Sequence, residues 1–309
     1  MNWFKRALGK GGRAQAPGLV TQGVVHAREG RLDEARKLYQ AAVDADESLA
    51  VARLNLGLCH LDLFNRDGHG LDEGDSKAAL DTIASALERA LVLDGSAWMG
   101  WRALAHVHER RGKWAKAEDA WQRFVQMAPL DAPDRVHAPR ALQALAGKAT
   151  ADRARQRALA ALDTGVEAHE RAVALAALLP LLDDAALGDV LARGCALAGT
   201  LARRLNDPAQ ARALLERAVV ADARDIEALR ELASVALEQG DLPRALAASL
   251  AAYREDPADA GLVCNVGVCH LSRGDVEKAA EYIVLAERLD PNDPIVQRAK
   301  AALARSRQP

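Results

Sequence analysis

Apolar and polar residues alternate along this chain at helical spacing, and the pattern returns. "LNLGLCHL" at 54–61 and "CNVGVCHL" at 264–271 read almost alike across more than two hundred residues. In the C-terminal third, Gly199, Ala233 and Gly267 are spaced by 34 residues, as are Ala211, Ala245 and Ala279, and Ala218, Ala252 and Ala286. Gly240 and Gly274, Pro257 and Pro291, and near the start Gly23 and Gly57, keep the same interval. Self-similarity at a fixed period of this size is the signature of a repeat architecture.

The residue types predict a helix-turn-helix unit. A small residue at the eighth position lets helix A approach helix B, and a small residue near the start of helix B receives it. Glycine near the middle ends helix A where a left-handed backbone is needed. Pro243 follows Gly240 and Asp241, where the first turn of a helix tolerates a missing amide hydrogen, and proline at the end of the unit stops helix B. Each amphipathic pair needs a neighbour to bury its apolar face, so the pairs stack.

This pattern resembles the tetratricopeptide repeat. The third repeat carries it in Trp101, Leu104, Ala105, His108, Gly112, Ala117, Trp121 and Pro129. The fifth has Leu229, Leu232, Ala233, Gly240, Ala245, Ala252 and Pro257, and the sixth Val263, Val266, Gly267, Gly274, Ala279, Ile283, Ala286 and Pro291. The first shows Gly23, Gly30, Ala35, Tyr39 and Ala42 without the closing proline, and the fourth keeps Gly199, Ala211, Leu215 and Ala218 with Cys195 at the large-residue position. In the second, Leu56, Gly57 and His60 begin helix A while Leu87, Ala90 and Leu91 finish helix B some fourteen residues late. The turn formers of "FNRDGHGLDEGDSK" predict that the insertion, about 64–77, is a loop.

The resemblance implies an all-α solenoid, a right-handed superhelix of antiparallel helix pairs, and the chain divides accordingly. Residues 1–16 are expected as a flexible or amphipathic segment, 17–129 as a first block of three repeats and 130–187 as an irregular helical connector that could hold a degenerate repeat stopped at Gly165. A second block of three spans 188–292, and 293–309 is a capping helix and tail of the kind solenoids need. No period-two run of β-branched or aromatic residues predicts a strand.

Composition narrows the function. Basic and acidic side chains number 41 and 43, a net charge of -2, which provides no overall field for nucleic acid. Cys59, Cys195, Cys264 and Cys269 form no metal-ligand spacing and suit a reducing compartment, so the cytoplasm is expected. No apolar run is long enough for a membrane span. Trp3, Phe4 and Leu8, with basic residues around them, allow at most weak membrane contact through residues 1–10. Asp67, His69, Asp72, Glu73 and Asp75 fail the calcium-loop spacing, and no phosphate-binding glycine loop, GxSxG elbow or HExxH pair is present. Neither an enzyme, nor a metal, nor a cofactor is expected. His60 and His270 share a register and read as packing residues.

The resemblance also implies that the second, fifth, ninth and twelfth positions of each repeat face a concave wall where partners dock. In the first block these are Val20, Val24 and Ala27, then Val51, Leu54, Leu58 and Leu61, then Met99, Arg102, His106 and Glu109. In the second they include Arg193, Ala196, Thr200 and Arg203, then Glu227, Arg230, Ser234 and Leu237, then Cys264, Val268 and Leu271. The first wall is apolar with a basic, imidazole-bearing edge, suited to an amphipathic helix or an extended peptide with hydrophobic anchors. The family's carboxylate-clamping groove is disfavoured, because Asn55 and Arg102 are present but Val20 and Val24 stand where polar residues would be needed. Trp98 and Trp114 are unexplained by the repeat and are candidate anchors, or else pack on the insertion. The expected function is a protein-binding scaffold, with a membrane-peripheral assembly factor as the alternative.

Overall fold

The computed structural model describes residues 11–68, 71–184 and 193–307. Among these the chain forms fifteen α-helices and no strand. They are α1 (Gly11–Arg28), α2 (Leu32–Ala45), α3 (Ala50–Asp67), α4 (Glu73–Leu93), α5 (Trp98–Arg110), α6 (Trp114–Met127), α7 (Ala138–Ala160) and α8 (Ala168–Leu178). After a 3-10 turn at Leu179–Leu181 come α9 (Gly194–Arg204), α10 (Pro208–Ala221), α11 (Ile226–Glu238), α12 (Leu242–Glu255), α13 (Ala260–Ser272), α14 (Val276–Leu289) and α15 (Pro294–Ser306).

The chain divides into two compact units, Met1–Asp152 and Arg153–Pro309. The division falls inside α7, so the connector expected at 130–187 is shared between them. In the first unit α1/α2, α3/α4 and α5/α6 are hairpins, each packed on the next; in the second, α9/α10, α11/α12 and α13/α14 repeat the arrangement and α15 covers the last pair. The amino-terminal part of α7 closes the first unit. Asp152, fully buried, accepts a hydrogen bond from the Ala115 amide at 3.2 Å, and Ala138 and Leu145 join the core around Trp121 and Phe124.

The eighth-position glycines mark where helix A touches helix B. A Cβ on Gly23 would meet Tyr39 at 2.5 Å, on Gly57 Leu87 at 2.8 Å, on Gly199 Leu215 at 2.6 Å and on Gly267 Ile283 at 2.8 Å. A side chain at these four positions would have to push those neighbours aside, although Ala105 and Ala233 show that the third and fifth repeats hold alanine there. The turns after helix A repeat as well: Gly30, Gly112, Gly240 and Gly274 have φ between 64° and 82°, and Asn206 takes the same left-handed role in the fourth repeat with φ 59°.

Two expectations are corrected. Residues 11–16, expected within a terminal segment, begin α1; residues 1–10, and with them the weak membrane contact, lie outside the described residues. The insertion is chiefly helix. Compared with α13 and α14, of 13 and 14 residues, α3 has 18 and α4 has 21, so most of the inserted chain lengthens the two helices. Turn formers were outweighed by helix capping and by packing: Asp72 accepts the Asp75 amide at 2.7 Å and starts α4, while Phe64 and Leu80, inside the inserted stretch or just beyond it, join the core.

Candidate partner-binding groove

In the first unit α3 and α5 face each other across a cleft of about 400 Å³, lined by Leu58, Leu61, Asp62, Asn65, Met99, Arg102, Ala103, His106 and Arg110. Its floor is aliphatic and its rim polar. Met99 leaves 45% of its surface exposed there. A second cleft, also about 400 Å³, shares Asn65 and Arg110 and is bounded by Phe64, Gly68 and Leu80. The Arg110 guanidinium donates to Asn65 Oδ1 at 2.6 Å and lies over the Phe64 ring at 5.9 Å. Phe64 and Asn65 belong to the extension of α3, so the insertion supplies one wall of the groove.

Burial sets the electrostatics. It pushes the Asp62 carboxyl above its ordinary value, against the pull of Arg102. Burial likewise lowers His106, with Glu109 opposing, and favours the neutral ring. That ring packs edge-on against Trp121 at 4.9 Å, while the Trp121 indole donates to Glu109 at 2.5 Å. Arg102 Nε sits 3.0 Å from the Asp134 carboxylate, which comes from the α6–α7 loop.

Five of the residues expected on the wall therefore meet in one cleft: Leu58, Leu61, Met99, Arg102 and His106. Others do not. Val20 and Leu54 are each only 7% exposed and belong to core clusters, because close helix packing turns these positions inward. Val24 packs against the Tyr39 cluster, and Asn55 is half-buried on α3 outside the cleft lining. Trp98 lies 6.0 Å from Phe124 and is half-buried, and the Trp114 ring carries Lys148 Nζ at 4.5 Å, so both are engaged within the unit. Asp62, Asn65, Ala103 and Arg110 were missed. Asn65 had no signal, since it stands beyond the point where an ordinary helix A ends; Arg110, one helical turn past His106, could have been found.

In the second unit two wall arginines are tied to the adjoining repeat. Arg203 pairs with Glu231 at 2.7 Å and Glu238 at 3.0 Å, and Arg230 with Glu227 at 3.3 Å and Asp259 at 3.5 Å. Ser234 donates to the Arg230 carbonyl at 3.1 Å, and Val268 packs partly buried against the terminal core.

Among the described residues no group of three His, Cys, Asp or Glu side chains could hold a metal ion, and no helix is long and apolar enough to cross a membrane. Of the residues first weighed as metal ligands, Asp67 pairs with Arg66 at 2.7 Å and Asp72 caps α4, while His69 lies outside the described residues. Burial pushes the Cys59 and Cys264 thiols up to about 11, which keeps them protonated and unreactive.

Stacked helical hairpins with glycine at the crossing define an α-helical repeat protein. The tetratricopeptide repeat family profile matches residues 20–65, 71–132 and 197–260, and a second profile of the same description matches 236–303; the chain belongs to the tetratricopeptide repeat family. No curated protein matches the chain. Among solved structures it is similar to YrrB, a TPR protein with an unusual peptide-binding site, at 18% identity over 85% of this chain and 97% of that one, with a TM-score of 0.34. It is also similar to PilW, a type IV pilus biogenesis factor, at 15% identity over 82% and 98%, TM-score 0.46. Pseudomonas aeruginosa pilF shares 14% identity over 94% and 99%, TM-score 0.36. Tetratricopeptide arrays are in general protein-interaction scaffolds, and this chain is one of that general kind.

Proposed function

We propose that the chain is a non-catalytic scaffold that seats a segment of a partner protein in the cleft between α3 and α5. The supporting observation is the lining itself: Leu58, Leu61, Met99 and Ala103 form an apolar floor within a rim of Asp62, Asn65, Arg102, His106 and Arg110. Concave apolar sites with a few convergent polar groups are where ligands gain affinity from burial and orientation from hydrogen bonds. Each aliphatic side chain of a partner buried on that floor contributes about 1.5–3 kcal/mol before the cost of association is met, so apolar anchors act together with the polar rim. The four free thiols, three of them buried, fit a reducing compartment, and the cytoplasm is the proposed location.

Photo-crosslinking tests this. A benzoylphenylalanine placed at Met99 is expected to give discrete adducts with a partner in cells, whereas the same residue at Val220, 87% exposed elsewhere, gives none of them. The same adducts from both positions, or adducts from Met99 that persist when Leu58 is changed to Arg, would remove the groove as the binding site.

A further inference from the structure

The Arg102–Asp134 contact closes one side of the groove from within the chain. Asp134 belongs to the loop between α6 and α7, which is anchored at its base: Ala128 and Ala132 are buried, and Arg135 donates to the carbonyls of Val125, at 2.5 Å, and Ala128. Beyond that base the backbone is held in turns, the Asp134 carbonyl accepting the His137 and Ala138 amides at 3.0 and 2.9 Å, so it is the Asp134 side chain, not the loop, that can leave Arg102. Leu130 and Val136 are 84% and 83% exposed, and Asp134 itself has φ 65°, a region that residues other than glycine populate sparingly.

The equivalent pair in the second unit is as exposed, at 35% and 36%, and longer, at 3.5 Å, and it differs in what else its carboxylate does. Arg230 holds the same fifth position of its repeat as Arg102, and its partner Asp259 likewise precedes the next helix. Asp259 has a second task, since its carboxylate accepts the Leu262 amide at 2.9 Å and caps α13. Among the described residues the Asp134 carboxylate caps no helix and its ion pair is with Arg102, with the His106 ring also within its field; the two side chains remain 36% and 37% exposed. An exposed pair of that kind is held by little. Among the charged side chains lining the cleft, Arg102 and Arg110 outnumber Asp62; Glu109, beside His106, is held by the Trp121 indole, Asp134 answers Arg102 from outside the lining, and among the described residues Arg110 makes no ion pair.

We propose that Asp134 is an internal stand-in for a partner's carboxylate, and that the occupant of the groove is an acidic segment with an apolar anchor, which displaces Asp134 from Arg102. The proposal rests on the groove reading above. Arg102 and Arg110 lie eight residues apart on α5, roughly 12 Å along its axis. An extended chain covers that distance in about four residues, so the matching pattern is acid, spacer, apolar, spacer, acid.

The test uses the full chain and three fluorescein-labelled peptides read by anisotropy: Glu-Ser-Phe-Ser-Glu and its Gln-ended and Lys-ended counterparts. The Glu peptide is expected to bind more tightly than the Gln peptide, and the Lys peptide least. Asp134→Asn preserves side-chain shape and tolerates the left-handed backbone; it is expected to tighten the Glu peptide roughly two- to five-fold, the equivalent of one exposed ion pair, and to leave the Gln peptide unchanged. Arg102→Gln should reduce the preference for Glu several-fold and remove its response to Asp134→Asn, with Arg110 retaining the rest. Equal binding of Glu and Gln peptides, no response to Asp134→Asn, or no binding of any peptide overturns the inference. Glu-peptide binding that is lost on Met99→Glu and Leu58→Arg but indifferent to Asp134 and Arg102 would keep the groove and sink the displacement, whereas binding untouched by all four changes would sink the groove as well.

Discussion

Arg102 and Arg230 occupy the same position in repeats of the first and second units, and each reaches a carboxylate ahead of the following helix. In the second unit Arg203 and Arg230 each reach a carboxylate of the next helix pair or the turn before it, and Asp259 serves the arginine and a helix end at once. In the first unit the insertion has lengthened α3 and α4, and the loop before α7 departs from the repeat. Arg102 is therefore met by a side chain that caps no helix among the described residues, beside a cleft whose aliphatic floor is partly buried. Where the repetition is regular, wall arginines are tied to the adjoining repeat; where it breaks, the arginine is tied to a loop.

The sharpest way to separate the units is acid. His108 and His270 share the eleventh position of their repeats, yet His270 has Asp275 at 3.3 Å and stacks on Tyr282, while His108 is 2% exposed with Arg111 and Lys116 nearby. Burial first, then those cations, push His108 down from 6.5 to about 4. Because the folded value is depressed, the unfolded state binds the extra proton between pH 6.5 and 4, and stability falls as pH falls through that window. For a buried imidazole a shift of this size corresponds to roughly 3 kcal/mol lost by the first unit. All five tryptophans precede residue 152, so tryptophan-detected urea unfolding reports that unit. Its midpoint should drop between pH 7 and pH 4, and His108→Phe should flatten most of the dependence; an unchanged slope in that variant would contradict the assignment.

Alanine at the crossing glycines gives the next largest effect. At Gly267 the new Cβ would press on Ile283 Cγ1 at 2.8 Å and on backbone atoms of Ala279 and Ile283 at 3.2 and 3.3 Å, whereas at Gly57 its nearest neighbours are the outer atoms of Leu87, at 2.8 and 3.1 Å. Backbone yields less readily than a leucine terminus, so Gly267→Ala is expected to cost roughly 2 kcal/mol and Gly57→Ala about half of that. Calorimetric melting of the two variants decides the order, and a larger loss at Gly57 would reverse the argument.

The smallest effect bears most directly on the groove. Asp259→Ala removes a cap and an ion pair and should destabilise the second unit by about 1–2 kcal/mol. Asp134→Asn should stay within about 0.5 kcal/mol, as expected of an exposed pair without a cap. If chemical denaturation found the two equally costly, Asp134 would be a structural residue like its counterpart.

The repeat, its turns and the helix-helix contacts were readable because each depends on residue type at a fixed interval: a glycine where Tyr39 or Ile283 presses, another where φ is positive. The left-handed Asn206 was readable in principle, standing 34 residues before Gly240. The groove was half readable. Leu58, Leu61, Met99, Arg102 and His106 follow from the period, but Val20 and Leu54 occupy equivalent positions and are buried, since how far a position faces outward depends on how closely the next helix packs. The insertion misled because its glycines and aspartates favour a loop locally, while Phe64 and Leu80 gain more by extending helices into the core.

By itself, then, the sequence determined an all-α repeat with its period and its crossing points, both consequences of local backbone preference and periodic burial. Tertiary structure alone decided that α3 extends far enough to place Asn65 beside Arg110, that Trp98 and Trp114 are engaged within the unit, and that Asp134 rather than a neighbouring repeat answers Arg102. These depend on which surfaces meet across distant stretches of chain, and no interval along the sequence encodes such meetings.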